Sequence, residues 1–109
     1  MAYDQSLAAR VQRALTTASN VVEKPMFGGL TFMIAGNMCC GLIKDELMIR
    51  LAPETTLEVL DSPYVRVCDF TSRPMRGLFV VSREECASQR GVNRWVKLAL
   101  EHNLSTPPK

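Results

Sequence analysis

At 109 residues the chain has the length of a single domain, enough to bury one core without metals or disulfides. A formal net charge of +2 is too small to argue for nucleic-acid binding, and no apolar run is long enough to cross a bilayer. The surplus is local: between Val65 and Gly77, Arg66, Arg73 and Arg76 stand against only Asp69. The first residues include Asp4 and no apolar stretch, so no signal peptide is expected and the cytoplasm is the expected compartment. Cys39, Cys40, Cys68 and Cys86 form no CxxC pair and have no flanking histidine, which predicts free, buried thiols.

The first predicted helix runs from an Asp4 N-cap to about Thr17, with Leu7, Val11 and Leu15 at i, i+4, i+8 on one face. Asn20 and the β-branched pair Val21-Val22 end it, and Pro25 forbids its continuation. Three strands follow, from about Met26 to Ile34, Met38 to Ile43 and Leu47 to Leu51. Turns at Gly36-Asn37 and Lys44-Asp45-Glu46 join them. Pro53 and Glu54 open a short helix to Leu60, stopped by Ser62-Pro63. Val65 to Phe70 and Leu78 to Val81 read as two further strands. Ser82-x-x-Glu85 is a capping box, and Ser88 offers a second cap, so Arg83 to Ala87 reads as a separate short turn. The last helix carries Val92, Trp95, Val96, Ala99 and Leu100 at helical spacing and ends near Asn103. This order predicts an α+β fold, helix, three strands, helix, two strands, helix, around a five-stranded antiparallel sheet. One domain spans 1–104, with a frayed tail at 105–109.

Side-chain parity assigns faces. A two-residue loop sets even positions of the first strand opposite odd positions of the second, and a three-residue loop then sets odd opposite odd. Leu30, Phe32, Ile34, Cys39, Gly41, Ile43, Leu47, Ile49 and Leu51 then share a core face. Thr31, Met33, Met38, Cys40, Leu42, Met48 and Arg50 fall on the other, where only Thr31 and Arg50 are polar. An antiparallel face open to water alternates polar residues outward, so this one is expected to be covered, by a terminal segment or by a partner. Met33, Met38, Cys40, Met48 and Arg50 are therefore the candidate interaction face, methionine being suited to adaptable contacts. The same alternation points Cys39 and Cys40 to opposite faces, badly placed to bridge one another.

Met26, Phe27, Gly28, Gly29, Gly36 and Asn37 form the structural motif of the first hairpin. The glycine pair leads into a strand rather than a helix N-terminus, so a bulge or a close backbone approach is expected there, not a phosphate cradle. His102, the only histidine, sits at the end of the last helix, away from any nucleophile–base–orienter set. Asp45-Glu46 and Glu84-Glu85 are explained by a turn and a capping box, and no metal-ligand set exists. No catalytic residue, metal or cofactor is expected. Arg66, Arg73 and Arg76 are candidate contacts to an anionic partner, a solvated surface being the bland alternative.

Several runs resemble the TfoX (Sxy) N-terminal domain family. They are Met1-Ala2-Tyr3-Asp4, Lys24-x-Met26-Phe27-Gly28-Gly29-Leu30-x-Phe32-Met33 and Gly36-Asn37-Met38-Cys39-Cys40-Gly41. Further matches are Asp45-Glu46-Leu47-Met48-x-Arg50, Asp69-Phe70-Thr71-x-Arg73-Pro74-Met75-x-Gly77 and Trp95-Val96. The resemblance implies a small α+β domain of secretion-chaperone-like layout that often dimerises. Full-length regulators of the family promote competence gene expression alongside the cyclic-AMP receptor protein and carry a second, C-terminal domain. This sequence ends at Lys109 without it, so a stand-alone N-terminal domain is expected. The functional expectation is a non-enzymatic, cytoplasmic, homodimeric protein-interaction module, regulatory in role. The alternatives are a nucleic-acid-associated module using the arginine loop and a small-molecule-binding domain of unknown ligand.

Overall fold

The computed structural model describes residues 4–18, 20–26, 29–68 and 77–106. Phe27, Gly28, Arg73 and Arg76 lie outside the described residues, as do 69–70 at the end of the predicted fourth strand and the tail residues 107–109. Helix α1 (Gln5–Ala14) starts where expected, the Asp4 carboxylate accepting the Ser6 N–H at 2.8 Å. Leu7, Ala8 and Val11 are its buried stripe.

Among the described residues the sheet has six strands, not five: β1 (Val21–Met26), β2 (Gly29–Ile34), β3 (Asn37–Ile43), β4 (Glu46–Arg50), β5 (Val65–Val67) and β6 (Leu78–Val81). They are ordered β1-β2-β3-β4-β6-β5, and neighbours are antiparallel. The extra strand is the stretch read as a helix stop. Val21 and Val22 are good strand formers, and Pro25 and the charged Glu23-Lys24 are tolerated because β1 is an edge with one unpaired side. Gly29 opens β2 where a Cβ would lie against the Leu42 carbonyl oxygen, the close backbone approach expected of the glycine pair.

The β2–β3 turn is Ala35-Gly36, with φ of 55° and 82°, so Asn37 already belongs to β3. Positive φ at both loop residues is the hairpin turn that matches strand twist, and Gly36 adopts it without steric cost. Beyond the turn, Ile34 faces Asn37 and Met33 faces Met38, but Phe32 faces Cys40. Cys39 is the extra residue of a β-bulge, and it flips the parity of the rest of β3. The next turn is two residues, Lys44-Asp45, rather than three, with Ile43 opposite Glu46. The two one-residue shifts cancel, so β4 faces as predicted while β3 does not. Cys40 and Leu42 point to the core with Ile49 and Leu47, and Gly41 and Ile43 point away from it.

Helix α2 is a single turn, Leu57–Leu60, because Pro53-Glu54 form a turn instead of its first residues. Helices α3 (Arg83–Cys86) and α4 (Gln89–Leu104) are separate, as expected, but only the second serine caps with its side chain: Ser88 Oγ accepts the Gly91 N–H at 3.1 Å. Ser82 makes no side-chain cap bond and Glu85 accepts from Trp95, so the capping box expected at Ser82-x-x-Glu85 is not formed. Val92, Trp95, Val96 and Ala99 of α4 join Leu7 and Val11 of α1 over the even side of β2 and the odd side of β4. Trp95, Phe32 and Phe79 are each 1% exposed. Side chains buried this fully contribute about 1.5–3 kcal/mol apiece, which makes this one-sided core the main source of stability. The Trp95 indole N–H donates to Glu85 Oε1 at 3.1 Å, fixing α3 to α4.

Candidate functional site

The helices all pack on one face of the sheet. The opposite face has its own small cluster, Met48, Cys68, Leu78 and Val80, with Met38 and Ile43 half-buried beside it. No helical residue belongs to this cluster. Met48 and Val80 are 3% and 8% exposed, so the centre of the face is closed within one chain. A cavity of about 240 Å³ lies over it, lined by Ile43, Met48, Cys68 and Val80 below and Lys44, Glu46 and Arg66 around.

The predicted interaction residues separate accordingly. Met33 and Met38 are directly paired across β2 and β3, both half-buried on the helix-free face. Val22 of β1 pairs with Met33 from the other side and is 50% exposed, extending the row to the sheet edge. Sequence reading missed Val22 because it assigned that stretch to a helix end. Met48 lies on the predicted face but is too buried to meet a partner. Arg50 is exposed at the end of β4. Cys40 is corrected: the bulge turns it into the core, where it is fully buried.

The bulge also brings Cys39 and Cys40 into the same cluster instead of onto opposite faces. The Cys40 thiol donates to the Cys39 sulfur, which lowers the Cys39 pKa against the opposing effect of burial. That same bond, complete burial and the charge of Cys39 raise the Cys40 pKa well above the usual thiol value. Adjacent Cα atoms across a trans peptide are ~3.8 Å apart, closer than relaxed disulfides allow, so the reduced pair is the relaxed state. Cys86 is pushed up to about 12, chiefly by burial, and its thiol donates to the Val81 carbonyl at 3.6 Å.

Of the predicted anion contacts, Arg66 is committed elsewhere. Its guanidinium grips both carboxylate oxygens of Glu46 at 2.8 and 2.9 Å, reaching across β6 to β4. This fork holds the Glu46 carboxyl below its ordinary value. Arg66 is thus engaged within the chain, and Arg73 and Arg76 lie outside the described residues. Nothing in the sequence links Glu46 to Arg66, since the pairing is set by strand order. Among the described residues no group of three or more His, Cys, Asp and Glu side chains could hold a metal ion.

An antiparallel sheet with the described helices on one face, and an apolar row left on the other, defines an α+β domain built around a two-faced sheet. The TfoX N-terminal domain model matches residues 13–103, and the chain belongs to that family. Comparison with curated proteins and with solved structures returned no match. No helix among the described residues is long and apolar enough to cross a membrane.

Proposed function

We propose that this chain is a non-enzymatic, cytoplasmic protein-interaction module with a regulatory role, working as a homodimer through the helix-free face of its sheet. The observation that supports this reading is the row Val22–Met33–Met38. It is apolar, at least partly exposed, and continuous across three strands on a face that no described helix covers. Monomeric soluble proteins rarely leave contiguous apolar surface of this kind without a use. Membership of the TfoX N-terminal family supports the regulatory part.

Sedimentation velocity over the micromolar range tests the dimer. The wild type is expected to self-associate, and Met33→Glu to be monomeric with an unchanged urea midpoint. A wild type that stays monomeric throughout, or a Met33→Glu variant that associates equally well, refutes this use of the face.

A further inference from the structure

A second feature lies at one end of the sheet, where the start of β3, the end of β4 and the last turn of α4 meet. A cavity of about 310 Å³ opens there, lined by Asn37, Met38, Arg50, Leu51, Pro53, His102, Asn103 and Thr106. Its charge sets it apart. Four other surface cavities among the described residues each include a carboxylate in their lining: Glu54 and Glu58, Asp4, Asp45 and Glu84, Glu46, or Glu101. This one combines an arginine and a histidine and has no acid. Arg50 forms no ion pair among the described residues, whereas Arg66, Arg83 and Arg94 each face a carboxylate.

The neutral part of the lining is also suited to a ligand. Asn37 and Asn103 are only 8% and 6% exposed, buried polar residues at the wall. Asn103 uses one amide hydrogen on the Ile34 carbonyl at 3.5 Å, which fixes its orientation. Met38, Leu51 and Pro53 make the remaining wall apolar. A planar guanidinium recognises carboxylate and phosphate through two parallel hydrogen bonds, and an imidazole adds a further donor. Ligand cavities run from about 300 to 1,000 Å³, so this one is at the small end and suits a compact molecule.

We propose that this cavity binds a small oxyanionic metabolite, its carboxylate or phosphate held by Arg50 and His102 and its short carbon portion lying on Met38, Leu51 and Pro53. The site does not depend on the interaction reading and would stand if the chain never self-associated. Arg50 and His102 come from β4 and α4, far apart in sequence, so no local motif announces it.

The test uses the full chain with ¹³C-methyl-labelled methionine, titrated separately with inorganic phosphate and with succinate at ionic strength held constant with chloride. The Met38 methyl signal is expected to move along a saturating curve with at least one of the two, while the Met48 signal stays in place. Saturation by phosphate alone, or by succinate alone, assigns the headgroup. Arg50→Gln is expected to weaken binding at least tenfold and His102→Gln several-fold. Arg13→Gln, on the exposed side of α1, should bind like the wild type. Arg50 is exposed, so its variant should fold, which the unshifted Met48 methyl verifies. No saturation with either probe, an undiminished response in Arg50→Gln, or an equal loss in Arg13→Gln overturns the proposal.

Discussion

The bulge at Cys39 makes a prediction that a regular strand would reverse. Leu42 is fully buried and lies in register between Leu30 and Leu47, both core residues on strands held by their ladders. Truncating it leaves a cavity that these strands cannot close. Leu→Ala changes in cores cost about 2–5 kcal/mol, and a site this rigid belongs in the upper half, about 3–4 kcal/mol. Ile43 is half-buried on the other face, opposite Glu46 and beside an open cavity. Ile43→Ala removes three carbons worth about 0.8 kcal/mol each when fully buried, so roughly half of that, about 1 kcal/mol, is expected. Urea unfolding followed by Trp95 fluorescence measures both, with equal slopes confirming a comparable unfolded state. If Ile43→Ala costs as much as Leu42→Ala or more, the parity flip is wrong.

Five further outcomes are expected. Thr31 is 1% exposed and its hydroxyl has no hydrogen-bond partner among the described residues, so Thr31→Val should raise stability by about 1 kcal/mol; a lower thermal midpoint would show that the hydroxyl is needed. Gly29→Ala should destabilise by more than about 2 kcal/mol in denaturant titration, because its methyl group meets the Leu42 carbonyl, which is backbone and cannot rotate away. Glu46 is held below its ordinary carboxyl pKa of 4.5 by Arg66, so the pair stabilises the fold above that value and the benefit is lost as pH falls through the lower folded one. Its side chains are 55% and 30% exposed, so Glu46→Gln should cost less than about 1 kcal/mol at pH near 7 and nothing near pH 2. All four thiols are buried, so the native protein should resist an aromatic disulfide reagent at mildly alkaline pH and react fully in denaturant. The Cys86 thiol, raised to about 12, adds stability that is whole below its unfolded value near 9.0 and is lost as pH climbs from there through the folded one.

Helices α1 and α4 were legible because their apolar residues recur at the helical period and each of the two starts carries a cap, Asp4 for α1 and Ser88 for α4. The β2–β3 hairpin was legible from Gly36, which its turn needs. Strand β1 was not, because an edge strand tolerates the proline and charges that argue against a strand anywhere else. Parity counting worked until Cys39, since a bulge is set by how two strands meet and leaves no trace in residue type. Its error was hidden by a second one at Lys44-Asp45, which restored the facing of β4. Of the candidate site, the methionines Met33 and Met38 were readable as an apolar alternation on one face. Val22, the Glu46–Arg66 fork and the Arg50–His102 cavity were not, because each joins segments that only strand order and the path of α4 bring together.

The sheet order also has a kinetic meaning. Strands β1 to β4 form a meander in which each strand pairs with the next, so it can grow by successive hairpins, which close in about 1–10 μs. Strand β6 instead docks directly on β4, and β5 reaches the sheet only through β6. That pairing has to wait for the intervening chain to close a long loop, an entropic cost met before any contact repays it. The Glu46–Arg66 fork can form only after β6 is seated, because it spans that strand. Arg66 is therefore a reporter of the last step of assembly: replacing it should speed unfolding and leave the folding rate almost untouched.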